Sequence, residues 1–399
     1  MVVVVYDTIL CASQVTSFMK ATPLLFSTLI CLLAATPNNA QSNSNCAPAE
    51  AQLKAAEIAT SQNDPATAAN RYEEAIKVAP ACVEALVNLG SIYNRLDRPD
   101  DAIAAFQQAV TKNPRLFAAH LNLGITYFRT RRFDLARDSL RNALQLDAQN
   151  TQARQLLALS LIATEEFKDA AIELEQLVKV TPNDANTVAA LGEIYLRLKR
   201  YADAATTLER AVQLDPKIAK THLLLGEAFD NASQPDRAIE QFQRAIQLEP
   251  SLKEAHYALG YAFLKRGTLD EALAEFEKEL QQNPDMLLAR YQAGQIYYRR
   301  GKLDEAVNEL TKVVDADPTF RPAIETLAQA RFKQGATNDA IALLERAVAL
   351  DPTWPNAFAL LGRAYNRAGR TEDARKAFAT AQRLSAEERK RLERAVTKP

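Results

Sequence analysis

The chain has 399 residues, and its 48 lysines and arginines almost balance its 49 aspartates and glutamates, which leaves a net charge of -1. This balance provides no electrostatic footprint for nucleic acid or for an anionic membrane surface, so neither is expected as a partner. Because a single hydrophobic core stops growing at roughly 250 to 300 residues, the length indicates either several domains or an array of repeats.

The first forty residues predict an export signal. A positive start at Lys20 precedes an apolar stretch from Ala21 to Ala35 and a polar end at residues 36–40, which is the order of a secretory signal peptide. The stretch is shorter than the ~20 residues of an ordinary membrane span. We therefore expect a signal peptide over residues 1–40, with Met19 as an alternative true start, and a periplasmic or secreted protein. The alternative is an uncleaved N-terminal segment that anchors the protein in a membrane, which would be its one membrane contact.

After a linker at residues 41–48, the chain is periodic with a period of 34 residues. If the small residues that recur at this spacing are taken as position 8, ten repeats span residues 49–384. These small residues are Ala56, Gly90, Gly124, Ala158, Gly192, Gly226, Gly260, Gly294, Ala328 and Gly362. Position 20 of the same frame is alanine in all ten repeats, and position 32 is proline in eight. Proline at that position stops one helix and opens the next.

Each repeat predicts a pair of helices. In the second repeat, Leu86, Leu89 and Tyr93 recur at three- and four-residue spacing, which places them on one face of an amphipathic helix. Ala102 and Phe106 do the same for its partner helix. Small residues at positions 8 and 20 let the two helices approach closely, and the bulky residue at position 24 fills the space beside them. A single hairpin cannot bury both of its sides, so neighbouring repeats must stack.

The order of these residues is similar to the tetratricopeptide-repeat (TPR) signature. The second repeat shows it in Leu89, Gly90, Tyr93, Ala102, Phe106 and Pro114. The resemblance implies an all-α fold, an α-solenoid of antiparallel helix hairpins that forms a right-handed superhelix. It also implies that positions 2, 5, 9 and 12 of each first helix line a concave groove.

Carried onto this sequence, the resemblance identifies three sets of groove residues. Aromatic side chains are expected at Tyr257, Tyr261, Tyr291 and Tyr298, with partial burial between helices as the alternative. Leu121 and Ile125 are expected to begin an aliphatic strip that continues through Phe128, Leu159 and Ile162. Asn88 and Asn122 occupy position 6, where the family uses asparagine to hold a peptide backbone. The groove is therefore expected to bind a peptide or helix of a partner protein.

Catalysis finds no support in the sequence. No nucleophile elbow, phosphate-binding loop or zinc-protease motif occurs, and we expect neither an enzyme nor a cofactor. The three histidines, His120, His222 and His256, all fall at position 4 of their repeats. Their spacing reflects the repeat, no ligand cluster accompanies them, and we expect a packing role and no metal.

Two cysteines, Cys46 and Cys82, remain if the chain is cleaved near Ala40. They flank the first hairpin at the same side, so a disulfide can join them in an oxidising compartment. Two unpaired thiols are the alternative. At the other end, Ser385 and Glu388 form a capping-box pattern that predicts a separate charged helix, and residues 385–399 are expected to be a capping helix and tail.

These observations favour an exported scaffold or adaptor that captures a partner segment in its groove. A structural organiser that binds through its edges and ends is one alternative. A module that handles carbohydrate or lipid with the same tyrosines is another.

Overall fold

The computed structural model describes residues 45–396, and α-helices with one short 3-10 turn make up all the regular structure of that range. The predicted all-α solenoid of helix hairpins is confirmed. The predicted signal peptide, residues 41–44 of the predicted linker and residues 397–399 of the predicted tail lie outside the described residues.

The described residues divide into two compact units, one ending at Leu214 and the other beginning at Asp215, which are described separately. The first unit holds five hairpins, each formed by an odd-numbered helix and the even-numbered helix that follows. Its helices are α1 (Glu50–Ser61), α2 (Pro65–Val78), α3 (Val83–Arg95), α4 (Pro99–Lys112), α5 (Phe117–Arg129), α6 (Phe133–Leu146), α7 (Thr151–Ala163), α8 (Phe167–Val180), α9 (Ala185–Arg197) and α10 (Tyr201–Leu214).

The second unit holds five further hairpins in the same pattern. Its helices are α11 (Ala219–Asn231), α12 (Pro235–Leu248), α13 (Ala255–Arg266), α14 (Leu269–Gln282), α15 (Leu287–Arg299), α16 (Leu303–Ala316), α17 (Arg321–Lys333), α18 (Thr337–Leu350), α19 (Pro355–Arg367) and α20 (Thr371–Val396).

The small residue at position 8 faces the bulky residue at position 24 of the same hairpin. A Cβ atom added at Gly226 would lie 2.4 Å from Cε1 of Phe242, and one added at Gly124 would lie 2.6 Å from Cγ of Leu140. The alanines at position 20 are 0–3% exposed in all ten repeats. Small residues on both helices therefore set the close approach, and the position-24 side chain lies directly over position 8.

The turn between the two helices of every hairpin has a left-handed residue at position 15. Glycine fills it in the last four repeats, for example Gly267 with φ 90°. In the first six repeats the same conformation is adopted by Asn63, Asp97, Arg131, Glu165, Lys199 and Ser233. A left-handed backbone costs an ordinary residue roughly 1–2 kcal/mol, which explains why glycine recurs at this position.

Two elements depart from the repeat. Helix α13 begins at Ala255, two positions later than most first helices, after Glu254 with φ 66°. The capping box predicted at Ser385 is wrong as a helix start, because α20 runs from Thr371 to Val396 without a break. Leu384 is buried within that helix, so the charged final segment is an extension of the last hairpin.

Candidate binding faces

Positions 2, 5, 9 and 12 of the odd-numbered helices form one face in each unit. We call them the first A-face (α1, α3, α5, α7, α9) and the second A-face (α11, α13, α15, α17, α19). Some neighbouring odd-numbered helices contact each other in both units, for example α3 with α5 and α17 with α19. Most side chains of these positions are half-buried, so they remain accessible from one side.

The first A-face carries an aliphatic strip. Leu121, Ile125 and Leu159 are half-buried, as expected for side chains that line a groove. Phe128 and Ile162 were expected in the same strip, but they are only 6% and 7% exposed and belong to the packing between repeats. The accessible strip is therefore aliphatic and narrower than the sequence predicted.

The two predicted asparagines lie beside this strip and differ in their bonding. Asn88 and Asn122 are both half-buried. The Asn88 side chain hydrogen-bonds with the Tyr72 hydroxyl, which Thr60 also contacts. The Asn122 side chain has no hydrogen-bond partner within residues 45–396, so its amide is available to a peptide backbone.

The second A-face is aromatic. The rings of Tyr257 and Tyr261 stack with their centroids 6.3 Å apart and an interplanar angle of 19°. The Lys265 ammonium lies 5.1 Å from the centre of the Tyr261 ring, and its Nζ atom is 2.7 Å from Oδ2 of Asp230. The Lys333 ammonium lies 4.1 Å from the centre of the Tyr298 ring. Tyr257, Tyr261 and Tyr298 are half-buried in this arrangement.

The prediction that Tyr291 lines the groove is wrong. Its side chain is 3% exposed, and its ring packs against Phe320 with the centroids 5.1 Å apart. Its hydroxyl accepts a hydrogen bond from the Gln295 side chain. Phe320 comes from the loop that leads into the next repeat and covers the ring, a contact that the helix pattern of one repeat does not reveal.

The three histidines are buried, as their predicted packing role requires, and two of them, His120 and His222, join consecutive repeats. The Nε2 atoms of His120 and His222 lie 2.9 Å and 3.1 Å from the backbone carbonyl oxygens of Pro114 and Pro216. His256 differs, since its Nδ1 lies 2.6 Å from the Glu275 carboxylate. Within residues 45–396, no three histidine, cysteine or acidic side chains group in a way that could hold a metal ion.

Sequence reasoning missed a polar contact that links neighbouring repeats. The hydroxyls of four position-11 tyrosines donate to glutamates at position 25 of the preceding repeat. The pairs are Tyr93 with Glu73 (2.7 Å), Tyr195 with Glu175 (2.8 Å), Tyr297 with Glu277 (2.5 Å) and Tyr365 with Glu345 (2.6 Å). Burial first, and the hydrogen bond to the glutamate second, raise the pKa of all four tyrosines, to about 12 for Tyr93, Tyr195 and Tyr365. The recurrence of glutamate at position 25 was the available signal.

The structure forms a disulfide between Cys46 and Cys82, the pairing that the sequence left open against two free thiols. The two cysteines are 5% and 0% exposed, and they tie the segment before α1 to the residue before α3. Among the helices of residues 45–396, none has the length and apolar character needed to cross a bilayer.

Comparisons with known proteins identify the same kind of helical repeat that the structure shows. The family model of the cilia and flagella-associated protein 70 C-terminal domain matches residues 22–259, more than half of the chain. A tetratricopeptide-repeat model matches residues 263–330 and 331–398. No curated protein matches the sequence.

Several solved structures are similar to parts of the chain. MamA from Desulfovibrio magneticus RS-1 is 22% identical with a TM-score of 0.41, over 43% of this chain and 96% of its own. A thermophilic TPR protein of Thermus thermophilus is 27% identical with a TM-score of 0.36, over 45% and 98%. A chain of the Naa15/Naa10 complex bound to HypK-THB is 14% identical with a TM-score of 0.45, over 86% and 64%.

Proposed function

Because the chain belongs to the tetratricopeptide-repeat family, we propose that it is an exported scaffold or adaptor that binds a segment of a partner protein and catalyses no reaction. The observation that carries the proposal is the aromatic second A-face. Tyr257, Tyr261 and Tyr298 are half-exposed on two consecutive first helices, where a partner can reach them.

The tyrosines of the second A-face are suited to be interface anchors. Tyrosine offers a large contact area, few rotatable bonds and one polar tip, and it is enriched among the residues that dominate binding energy. Here Tyr257 and Tyr261 stack on each other, and Lys333 packs on Tyr298. Side chains that are already held in place lose little conformational entropy when a partner binds.

The spacing of these side chains favours an elongated occupant. Leu264, Leu288 and Phe332 are half-buried and lie on the same face at positions 12, 2 and 12 of three successive first helices. An amphipathic helix or an extended peptide buries such a row of apolar side chains by presenting its own anchors at regular intervals. We therefore propose a protein segment as the ligand of the second A-face.

Two features support export. The order of charges and apolar residues before Ala40 is that of a signal peptide. The disulfide between Cys46 and Cys82 is the kind of bond that persists in oxidising compartments such as the periplasm or the secreted fraction.

The test compares capture of envelope proteins by the wild-type protein and by the variant Tyr261→Ala/Tyr298→Ala. We expect the double variant to lose affinity for the captured protein by at least about tenfold, since each truncation removes an anchor. Tyr201→Ala is the matched control, because Tyr201 begins α10 and lies outside both A-faces. Equal capture by the double variant and the control would contradict binding at the second A-face.

A further inference from the structure

The first and the last repeat expose apolar side chains at positions that the other repeats bury. Position 10 of the first helix is 0–3% exposed wherever a repeat of the same unit precedes it, whereas Ile58, at position 10 of the first repeat, is 49% exposed. Position 24 of the second helix is 0–4% exposed wherever a repeat of the same unit follows it, whereas Phe378, at position 24 of the last repeat, is 41% exposed. We call the surface around Ile58 the first end and the surface around Phe378 the last end.

Contacts inside the units show what covers these two positions elsewhere. The Thr126 hydroxyl, at position 10 of the third repeat, accepts a hydrogen bond of 2.8 Å from the Asn94 side chain of the second repeat. Position 24 lies on the second helix, which packs against the first helix of the following repeat at the boundaries inside both units. Position 10 therefore faces the preceding repeat, and position 24 faces the following one.

Phe378 occupies the same place in its hairpin as the other position-24 side chains. A Cβ atom added at Gly362 would lie 2.8 Å from Cε1 of Phe378, which is the close approach also found between Gly226 and Phe242. Helix α20 continues to Val396 as one helix and does not turn back over the ring. The ring is therefore exposed on the side that the first helix of a following repeat covers in the other hairpins.

The first end is one stripe of α1. Ala51, Ala55 and Ile58 lie at positions 3, 7 and 10, a spacing that places them on one face of the helix. Ala51 and Ile58 are exposed and Ala55 is half-buried, whereas the same three positions of the second repeat are buried. The stripe has small and aliphatic side chains, as a helix that packs closely on another requires.

The two ends also differ in charge. The first hairpin, residues 49–82, has five acidic and three basic side chains. The last hairpin with its extension, residues 355–396, has ten basic and five acidic side chains. Opposite charge attracts the first end of one copy to the last end of another, and like charge disfavours contact between two identical ends.

We infer that the chain associates head to tail with a second copy of itself, with α1 of one copy packed on α20 of the other and Ile58 in contact with Phe378. The boundary between copies then repeats the boundary between repeats, in which each repeat contacts mainly its neighbour. Such a contact joins different surfaces of the two copies, so further copies can add in the same way.

This boundary is weaker than a boundary inside a unit. Position 11 of the first repeat is Ala59 and position 25 of the last repeat is Ala379, so the tyrosine–glutamate hydrogen bond that links four pairs of repeats cannot form. Association is therefore reversible and depends on concentration. The inference does not depend on the proposed function, because positions 10 and 24 lie outside both A-faces.

Sedimentation velocity of the purified protein at concentrations up to about 100 μM tests the inference. We expect the average mass of the wild type to rise with concentration above the mass of one chain. Ile58→Glu and Phe378→Glu should each weaken the association by at least about tenfold, because a charge replaces an apolar side chain in the contact. Ile172→Glu is the matched control, since Ile172 is 54% exposed on α8 and lies at neither end.

A mixture of the two variants distinguishes head-to-tail contact from contact between identical ends. The Ile58→Glu protein keeps its last end, and the Phe378→Glu protein keeps its first end. Each protein alone should remain monomeric, whereas an equimolar mixture should form a dimer and nothing larger. If the Ile58→Glu protein associates as strongly as the wild type, two last ends meet and the inference is overturned.

Ala379→Glu separates loss of the contact from misfolding of the last hairpin. Ala379 is exposed beside Phe378, and glutamate occupies the same position 25 in other repeats, for example at Glu73 and Glu175. This variant should keep the urea midpoint of the wild type and weaken the association, because its carboxylate meets the acidic first end. A wild type that stays monomeric over the whole concentration range, an Ala379→Glu protein that associates as the wild type does, or an Ile172→Glu control with an equal loss would each overturn the inference.

Discussion

The close contact of Gly226 with Phe242 shows how one atom controls the packing of a hairpin. A methyl group at residue 226 would lie 2.4 Å from Cε1 of Phe242, which forces the ring to move. We expect Gly226→Ala to lower the free energy of unfolding by roughly 1–3 kcal/mol through overpacking. Urea denaturation followed by circular dichroism measures this change.

The position-24 side chain provides the control for this prediction, because the three atoms nearest to a Cβ at residue 226 all belong to Phe242. In a Phe242→Ala background, Gly226→Ala should therefore cost less than it does in the wild type. A double-mutant cycle gives the coupling between the two sites. An equal cost in both backgrounds would show that the ring at position 24 is not the obstacle.

The tyrosines that bond to glutamates of the preceding repeat predict a loss of stability in base. Tyr93, Tyr195 and Tyr365 have a pKa of about 12 in the folded protein. In an unfolded chain the value is about 10. A raised folded pKa means that the contribution is complete below the unfolded value, about pH 10, and is lost as pH rises toward the folded value, about pH 12.

The measurement is the urea midpoint of the wild type and of the triple Tyr→Phe variant at these three positions, between about pH 9 and about pH 12. The wild type should lose more stability over this range than the variant, which has no phenol to ionise at these three positions. If the urea midpoints of the two proteins fall in parallel as pH rises, the raised pKa of these tyrosines is contradicted, even if the two midpoints differ at neutral pH.

Among the helices, α13 shows how a substitution in one helix changes the start of another. Position 27 is alanine in seven repeats but Glu279 in the seventh, where the side chain is only 2% exposed. Its Oε2 atom accepts a hydrogen bond of 3.2 Å from the backbone N–H of Tyr257 in the first turn of α13. The side chain of Glu254 does not cap this helix, so Glu279 takes the place of the usual cap from the partner helix.

We expect Glu279→Ala to destabilise the protein by roughly 1–2 kcal/mol, because it leaves a backbone N–H at the helix start without its acceptor. Glu279→Gln keeps an acceptor oxygen and should retain most of the stability. Denaturation curves of the two variants decide the matter. If the alanine variant is as stable as the wild type, the consensus small residue is sufficient and the contact to Tyr257 is dispensable.

The hairpins themselves could be predicted from the sequence because each depends on contacts within one period. Glycine or alanine at position 8 and alanine at position 20 recur every 34 residues, so the close approach of two helices is visible as a pattern. The start of α13 could not be predicted, since it depends on one side chain that breaks the pattern. The continuity of α20 was not predicted for a related reason. The local capping pattern at Ser385 was outweighed by strong helix formers on both sides.

The candidate site was predictable only in part, because exposure depends on residues outside the repeat that carries it. Tyr261 and Tyr298 are half-buried, whereas Phe320 from the following loop covers Tyr291. Contacts between repeats, rather than those within one repeat, decide which of the groove positions can reach a partner.

For the whole chain, the predicted signal peptide and the disulfide indicate the same compartment by independent means. Residues 1–40 are predicted to direct targeting, whereas the bond between Cys46 and Cys82 concerns the redox state of the folded protein. A disulfide that closes a loop of 36 residues stabilises the folded state by roughly 3–4 kcal/mol in the chain-entropy model. We therefore expect the protein to reach its full stability only after export, because the disulfide forms in the oxidising compartment.

We expect the native protein to begin near Gln41 and to carry the Cys46–Cys82 bond, as measured by N-terminal sequencing and by mass spectrometry without reduction. The same chain made in a reducing cytoplasm should keep its N-terminal segment, have two free thiols and unfold at a lower urea concentration, because the loop at the first hairpin is no longer closed. Oxidation of that cytoplasmic protein should restore the midpoint, which separates the effect of the bond from that of cleavage. Native protein that starts at Met1 or Met19 with both thiols free would contradict export and the role of the disulfide together.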